Sequence, residues 1–171
     1  MNHDAVYPGT FDPLTLGHLD LIERSARLFQ HVTVAVAATS AKSGAMFDLE
    51  ERMQMVRETI AERGFQNVSV EPLKGLLVDF CMNRPSVPVL IRGIRVYTDF
   101  EYEFQMALTN RKLAPEVETL FMMPVEEHSC VTASTVRELV RYGGDTTAFV
   151  PPPVLAHIQA YMKAHRIRRN A

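Results

Sequence analysis

Tyr7-Pro8-Gly9-Thr10-Phe11-Asp12-Pro13-Leu14-Thr15-Leu16-Gly17-His18 decides the fold of this 171-residue chain. Before it lies a short apolar run, Asp4–Tyr7, that reads as a strand. After it Leu19, Ile22, Ala26 and Phe29 recur at helical spacing. Two prolines and two glycines make the junction a tight, irregular loop. Gly9 and Gly17 allow backbone to approach a ligand closely, as phosphate requires. His18 falls near the start of the helix, where free N–H groups and the helix dipole favour an anion. One short segment therefore places an imidazole and backbone donors around a single phosphate.

Outward from this junction, strand-like and helix-like runs alternate. Val32–Ala37, Val68–Glu71, Val87–Ile91 and Glu118–Met123 read as further strands, with Val, Ile, Leu and Met on both faces, as in strands covered from both sides. Asp48 followed by Glu51 forms a capping box ahead of a helix over Glu50–Arg63, whose Met53, Val56 and Ile60 keep helical spacing. Thr98 opens a helix running to about Lys112, and the triple proline at 151–153 precedes a last helix, Val154–His165. Five strand–helix repeats joined by right-handed crossovers give an α/β fold. It is a single doubly wound domain over residues 1–171, with a five-stranded parallel sheet and a C-terminal helix. Its ligand crevice lies at the carboxyl ends of the strands.

Two more segments reach that edge with chemistry. Arg92-Gly93-Ile94-Arg95 follows the fourth strand, and two guanidinium forks bracketing a glycine match phosphate geometry. His128-Ser129-Cys130-Val131-Thr132-Ala133-Ser134 follows the fifth, where hydroxyls cap the next helix and direct donors at phosphate. Lys42, in the loop after the second strand, reads on its own as a solvated lysine. The formal net charge of −2 gives no global field for nucleic acid or membrane. No apolar stretch approaches the ~20 residues of a membrane span. The N-terminus carries no secretory pattern. Two isolated cysteines, Cys81 and Cys130, read as reduced thiols and not as a zinc site. The basic run Arg166-Ile167-Arg168-Arg169 reads as a solvated terminus. Neither GxxxxGK[ST] nor GxGxxG occurs, which argues against a P-loop kinase and a dinucleotide dehydrogenase.

The first loop resembles that of the (His/Thr)-x-Gly-His nucleotidyltransferases. Within them, residues Tyr7 to about Val150 are similar to the bacterial phosphopantetheine adenylyltransferase family. The resemblance implies a Rossmann-like domain that transfers the adenylyl group of ATP to 4′-phosphopantetheine, giving dephospho-coenzyme A and pyrophosphate in coenzyme A biosynthesis. It implies in-line attack by the acceptor phosphate with no covalent enzyme intermediate. His18, Thr10, Lys42 and Arg95 are the implied catalytic set, and Thr10, Lys42, Leu77 and Arg92 the implied acceptor site. Thr10, Phe11, His18, Gly93, Ile94, Arg95, Glu103, His128, Ser129, Cys130, Val131, Thr132, Ala133 and Ser134 are implied at ATP. Mg²⁺ carried on ATP oxygens, a cytoplasmic location and a homohexamer follow from the same resemblance, with no nucleic-acid or membrane partner. The chain departs from the family at His128, where the family has tryptophan, and at Ala133, where it has a serine hydroxyl. A sibling transferase acting on nicotinamide mononucleotide or a polyol phosphate is a competing reading. So is a non-catalytic nucleotide sensor, though a sensor need not keep the acceptor-side charges.

Overall fold

The computed structural model describes residues 3–38, 45–95 and 97–167, with backbone only for 97–99. Five parallel strands form one sheet: β1 (Asp4–Gly9), β2 (His31–Ala37), β3 (Val68–Leu73), β4 (Val89–Gly93) and β5 (Thr119–Met122), in the order β3-β2-β1-β4-β5. The chain leaves β1 through α1 (Leu16–Leu28) to β2, then through α2 (Leu49–Arg63) to β3. It next returns past β1 through α3 (Leu77–Met82) to β4, and α4 (Tyr97–Leu113) leads to β5. The winding reverses between β1 and β4, so their carboxyl ends splay apart and open a crevice there. Three helices follow β5: α5 (Glu126–Ser129), α6 (Ala133–Arg141) and α7 (Pro152–Ala164).

Side chains alternate across the sheet and feed two cores. Ala5, Tyr7, Val32, Val34, Val36 and Ile91 face α1, α2, α6 and α7, whereas Val6, Ala35 and Leu90 face α3 and the end of α4. Covering from both sides holds for β1 and β2, which are buried along their interiors. It fails at the two edges: β3 is half-buried throughout, and Leu120 of β5 is exposed. An edge strand has one neighbour, so helices shield it less completely.

Several boundaries differ from the sequence expectation for identifiable reasons. β4 runs over Val89–Gly93 and not over Val87–Ile91, because Arg92 and Gly93 pair with Phe121 and Met122 of β5. The two residues are the last rungs of the sheet, not a loop after it. β1 and β3 each extend two residues further, because β2 pairs with both of them along its length. The Asp48–Glu51 capping box forms in both directions. The α7 helix starts at Pro152, with Pro151 as its cap, since proline needs no N–H in a first turn. The short helices α3 and α5 carry too few apolar repeats to be read from sequence.

Candidate active site

A cleft of about 580 Å³ opens at the carboxyl ends of the strands. Ala37, Leu73 and Gly93 bring the ends of β2, β3 and β4 to it, alongside the first loop and the starts of α1 and α6. It therefore sits at the switch point that the topology dictates.

The first loop is held by its own sequence. Thr15 caps α1, and His18 completes the capping box by turning its ring back onto the cap. The Thr15 N–H lies 3.1 Å from His18 Nδ1. A backbone N–H can only donate, so Nδ1 carries the lone pair and the proton sits on Nε2. That leaves Nε2–H as the ring's donor on the cleft side. Phe11 packs edge-to-face on His18, with centroids 5.2 Å apart, and on Tyr7 at 5.5 Å. Burial, and then the Arg95 charge, push the imidazolium down to about 4, so the ring is neutral at physiological pH.

Both glycines of the first loop line the cleft, and packing also constrains each of them. A Cβ on Gly9 would lie 2.9 Å from the Phe11 ring, so Gly9 also makes room for Phe11. A Cβ on Gly17 would lie 3.2 Å from the His128 carbonyl, so Gly17 also lets α1 pack against α5. Backbone donors are also fewer than expected. The Leu16 N–H is taken by the Phe149 carbonyl and the His18 N–H by the Thr15 hydroxyl, which leaves Gly17 at the cleft.

Across the cleft, Arg92 forms a bidentate pair with Glu103 of α4, at 2.5 and 2.6 Å. Arg95 is exposed and lines the same space. At the third wall Thr132 caps α6 by accepting from the Thr135 N–H at 2.9 Å. The cap leaves Ala133 and Ser134 in the open first turn, where main-chain donors do not depend on the Ala133 side chain. Arg137 ties this wall to the first loop by donating to the Asp12 carbonyl at 2.6 Å and to Ser134 Oγ at 3.1 Å.

Of the residues singled out from sequence, the cleft gathers Thr10, His18, Leu77, Arg92, Gly93, Arg95, Glu103, Val131, Thr132, Ala133 and Ser134. Phe11 is buried behind His18 and does not line it. Ile94 sits beyond the end of β4, and His128, Ser129 and Cys130 form the α5 turn next to Gly17. Lys42 lies outside the described residues.

Sequence reasoning missed Arg52, which is 2% exposed. Its Nη1 donates to the Thr10 carbonyl at 2.7 Å and the Ala37 carbonyl at 3.0 Å, and its Nε to the carbonyls of Phe47 and Asp48. One guanidinium thus bolts the first loop and the end of β2 to the start of α2. Asp12 completes the bolt by accepting from the N–H groups of Met46 and Phe47. The signal was available: Arg52 precedes Val56 and Ile60 at four-residue steps and so stands on the apolar stripe of α2. Lysine cannot span four acceptors, so Arg52→Lys is expected to cost about 1–2 kcal/mol of folding stability, measured by urea unfolding. An unchanged midpoint would show that the bolt carries no load.

Comparison with known proteins adds lineage to this geometry. The family model described as cytidylyltransferase-like matches residues 6–139. The chain is 48% identical over 156 residues to phosphopantetheine adenylyltransferase of Methylococcus capsulatus, covering 91% of this chain and 94% of that one. It is 48% identical over 162 residues to the enzyme of the same name from Azoarcus sp. (strain BH72), covering 95% and 97%. The Plasmodium falciparum nicotinic acid mononucleotide adenylyltransferase complexed with NaAD superposes with a TM-score of 0.69 at 11% identity, over 98% of this chain and 97% of that one. A bifunctional NMN adenylyltransferase/ADP ribose pyrophosphatase from Francisella tularensis superposes with a TM-score of 0.72 at 16% identity, over 95% of this chain and 50% of that one. These two structures share the fold.

Proposed function

The chain belongs to the phosphopantetheine adenylyltransferase family of cytidylyltransferase-like proteins, and from that premise we propose how its residues make dephospho-coenzyme A from ATP and 4′-phosphopantetheine. The observation that carries the reading is His18, a neutral ring with Nδ1 engaged by the Thr15 N–H, lining a cleft whose other walls hold Arg92 and Arg95.

An oxygen of the acceptor phosphate attacks the α-phosphorus of ATP, the bond to the bridging oxygen breaks, and pyrophosphate leaves. Little covalent help is required, because the work is to hold two anions in line while charge spreads over the α-phosphate. His18 donates to that phosphate as its charge grows. Thr10 orients the attacking phosphate. Arg92 and Lys42 offset repulsion between the two anions, and Leu77 packs the acceptor on the α3 side. Arg95, Ser134 and the open first turn of α6 hold the triphosphate. Glu103, Gly93, Ile94 and the 128–133 segment complete the nucleotide site.

Mg²⁺ would come with ATP and would offset phosphate charge, with no protein side chain required to hold it. The donor set fits that role: among the described residues no three His, Cys, Asp or Glu side chains gather to hold a metal, and the cleft carboxylate, Glu103, is paired with Arg92. An ion that keeps several waters and binds through substrate phosphates suits such a site. The incubation that tests the function is ATP with phosphopantetheine, read as pyrophosphate release. Turnover with nicotinamide mononucleotide instead would assign the chain to a sibling activity, and binding of ATP without turnover would make it a sensor.

We also propose a cytoplasmic homohexamer. Among the described residues no helix is long and apolar enough to cross a membrane. The assembly reading is supported by α4, whose Tyr102, Phe104, Leu108 and Leu113 are exposed, beside exposed Leu120 and Met123 around β5. Large apolar side chains exposed in this number on one helix and the strand beside it favour a protein contact. Light scattering is expected to return six chain masses, and Leu108→Glu to lower that number. A single chain mass for the wild-type protein would rule the hexamer out.

A further inference from the structure

Tyr7 lies at the floor of the cleft and has no part in the roles above. It is 5% exposed and lines the cleft. Its side chain is on the α1 face of the sheet, in the ring series Tyr7–Phe11–His18. The hydroxyl oxygen lies 3.7 Å from the position a Cβ would take on Gly93 of β4. Among the described residues it makes no hydrogen bond. It is not sealed off either, because the closed-off side-chain nitrogen or oxygen without a partner is Arg84 Nε. A tyrosine this buried ordinarily finds a partner for its hydroxyl. This one has no partner among the described residues and lines the cleft.

The surroundings specify what that donor meets. Arg92 and Arg95 bear on the hydroxyl with positive charge, Glu103 and Asp20 with negative. An anion is drawn to the cationic side, and a neutral O–H adds a directed bond there without adding charge. Leu73 and Leu77 pack with the opposite core, on the α3 face, whereas Tyr7 shares the face of His18. The cleft therefore has two sides, and Tyr7 belongs to the side where His18 donates.

Resting on the reading of this cleft as the ATP site, we propose that Tyr7 is a further nucleotide-binding residue, its hydroxyl donating to a phosphate oxygen of ATP. Burial holds the phenol well above its ordinary range, so the hydroxyl stays protonated across the working pH.

Tyr7→Phe removes the oxygen and keeps the ring packing. Titration calorimetry is expected to show ATP binding weakened roughly tenfold or more, the scale of a hydrogen bond to a charged acceptor. Phosphopantetheine binding and the melting temperature should be unchanged, because no described residue loses a bond. ATP binding within about twofold of wild type would overturn the proposal, as would an equal loss for both ligands or a lowered melting temperature. An equal loss with adenosine as the probe would place the contact on the nucleoside and overturn the phosphate assignment. If wild-type protein releases no pyrophosphate, the proposed reaction fails, while the ATP titration still decides Tyr7.

Discussion

His18→Ala is expected to lower turnover roughly 10²–10³-fold, the scale of one transition-state donor, while ATP affinity changes far less. The expectation rests on geometry. The Thr15 N–H holds Nδ1 at 3.1 Å and fixes the tautomer, so the reactive-side nitrogen is a donor before substrate arrives. The edge-to-face contact with Phe11 limits ring rotation. Because the imidazolium is pushed down to about 4, His18 works as a neutral donor, and kcat/KM, which reports the free enzyme, should show no inflection near pH 6.5 from this residue. Stability has the linked sign. The unfolded imidazole titrates near its ordinary value and the folded one lower, so between the two the unfolded chain binds more protons. The contribution is present above about pH 6.5 and is lost as pH falls towards 4. His18→Gln, which keeps a neutral N–H donor without the cap, should recover part of the lost turnover. Turnover of the alanine variant within a few-fold of wild type would remove His18 from the mechanism.

The first βα junction was legible because its signals are local. Thr15 and His18 are three residues apart and satisfy each other within one turn, so the cap is readable without knowing Arg52 and Arg137, the distant groups that also hold the loop. The end of β4 was not legible for the opposite reason. Whether Arg92 and Gly93 are strand or loop depends on Phe121 and Met122, nearly thirty residues later, offering them partners. The second duty of Gly9 was not legible, because the ring it accommodates comes from Phe11, whose inward turn goes with a backbone at φ 47°. The place of Arg52 on the apolar stripe of α2 was legible, but its partners were not, because they are carbonyls, which every residue has and no sequence pattern marks. The apolar residues of α4 illustrate a further limit. Phe100, Phe104 and Leu108 repeat at four-residue steps like a core stripe, yet all three are exposed. A stripe reports that a face will be covered, but not whether the cover belongs to the same chain.

Arg92→Ala is expected to weaken phosphopantetheine by about 2–3 kcal/mol and ATP by clearly less. Part of this is the lost attraction between guanidinium and phosphate. The rest comes from Glu103. In the free protein both fork nitrogens that face Glu103 are engaged, and the two side chains are 24% and 14% exposed. Glu103 thereby holds the fork towards the cleft, and the pair is neutral as a unit. Taking Arg92 away leaves a carboxylate in a partly dehydrated space that must receive a dianion, so attraction is replaced by repulsion. The double variant Arg92→Ala/Glu103→Gln separates the two contributions. It should bind phosphopantetheine more tightly than Arg92→Ala alone, because the stranded charge is gone, yet more weakly than wild type. Glu103→Gln by itself should weaken the acceptor far less than Arg92→Ala, because it loosens the fork without deleting it. Titration calorimetry with each ligand on the three variants decides the matter. Equal losses for ATP and phosphopantetheine would move Arg92 out of the acceptor site, and a double variant no better than the single one would show that Glu103 is neutralised by some other group when Arg92 is absent.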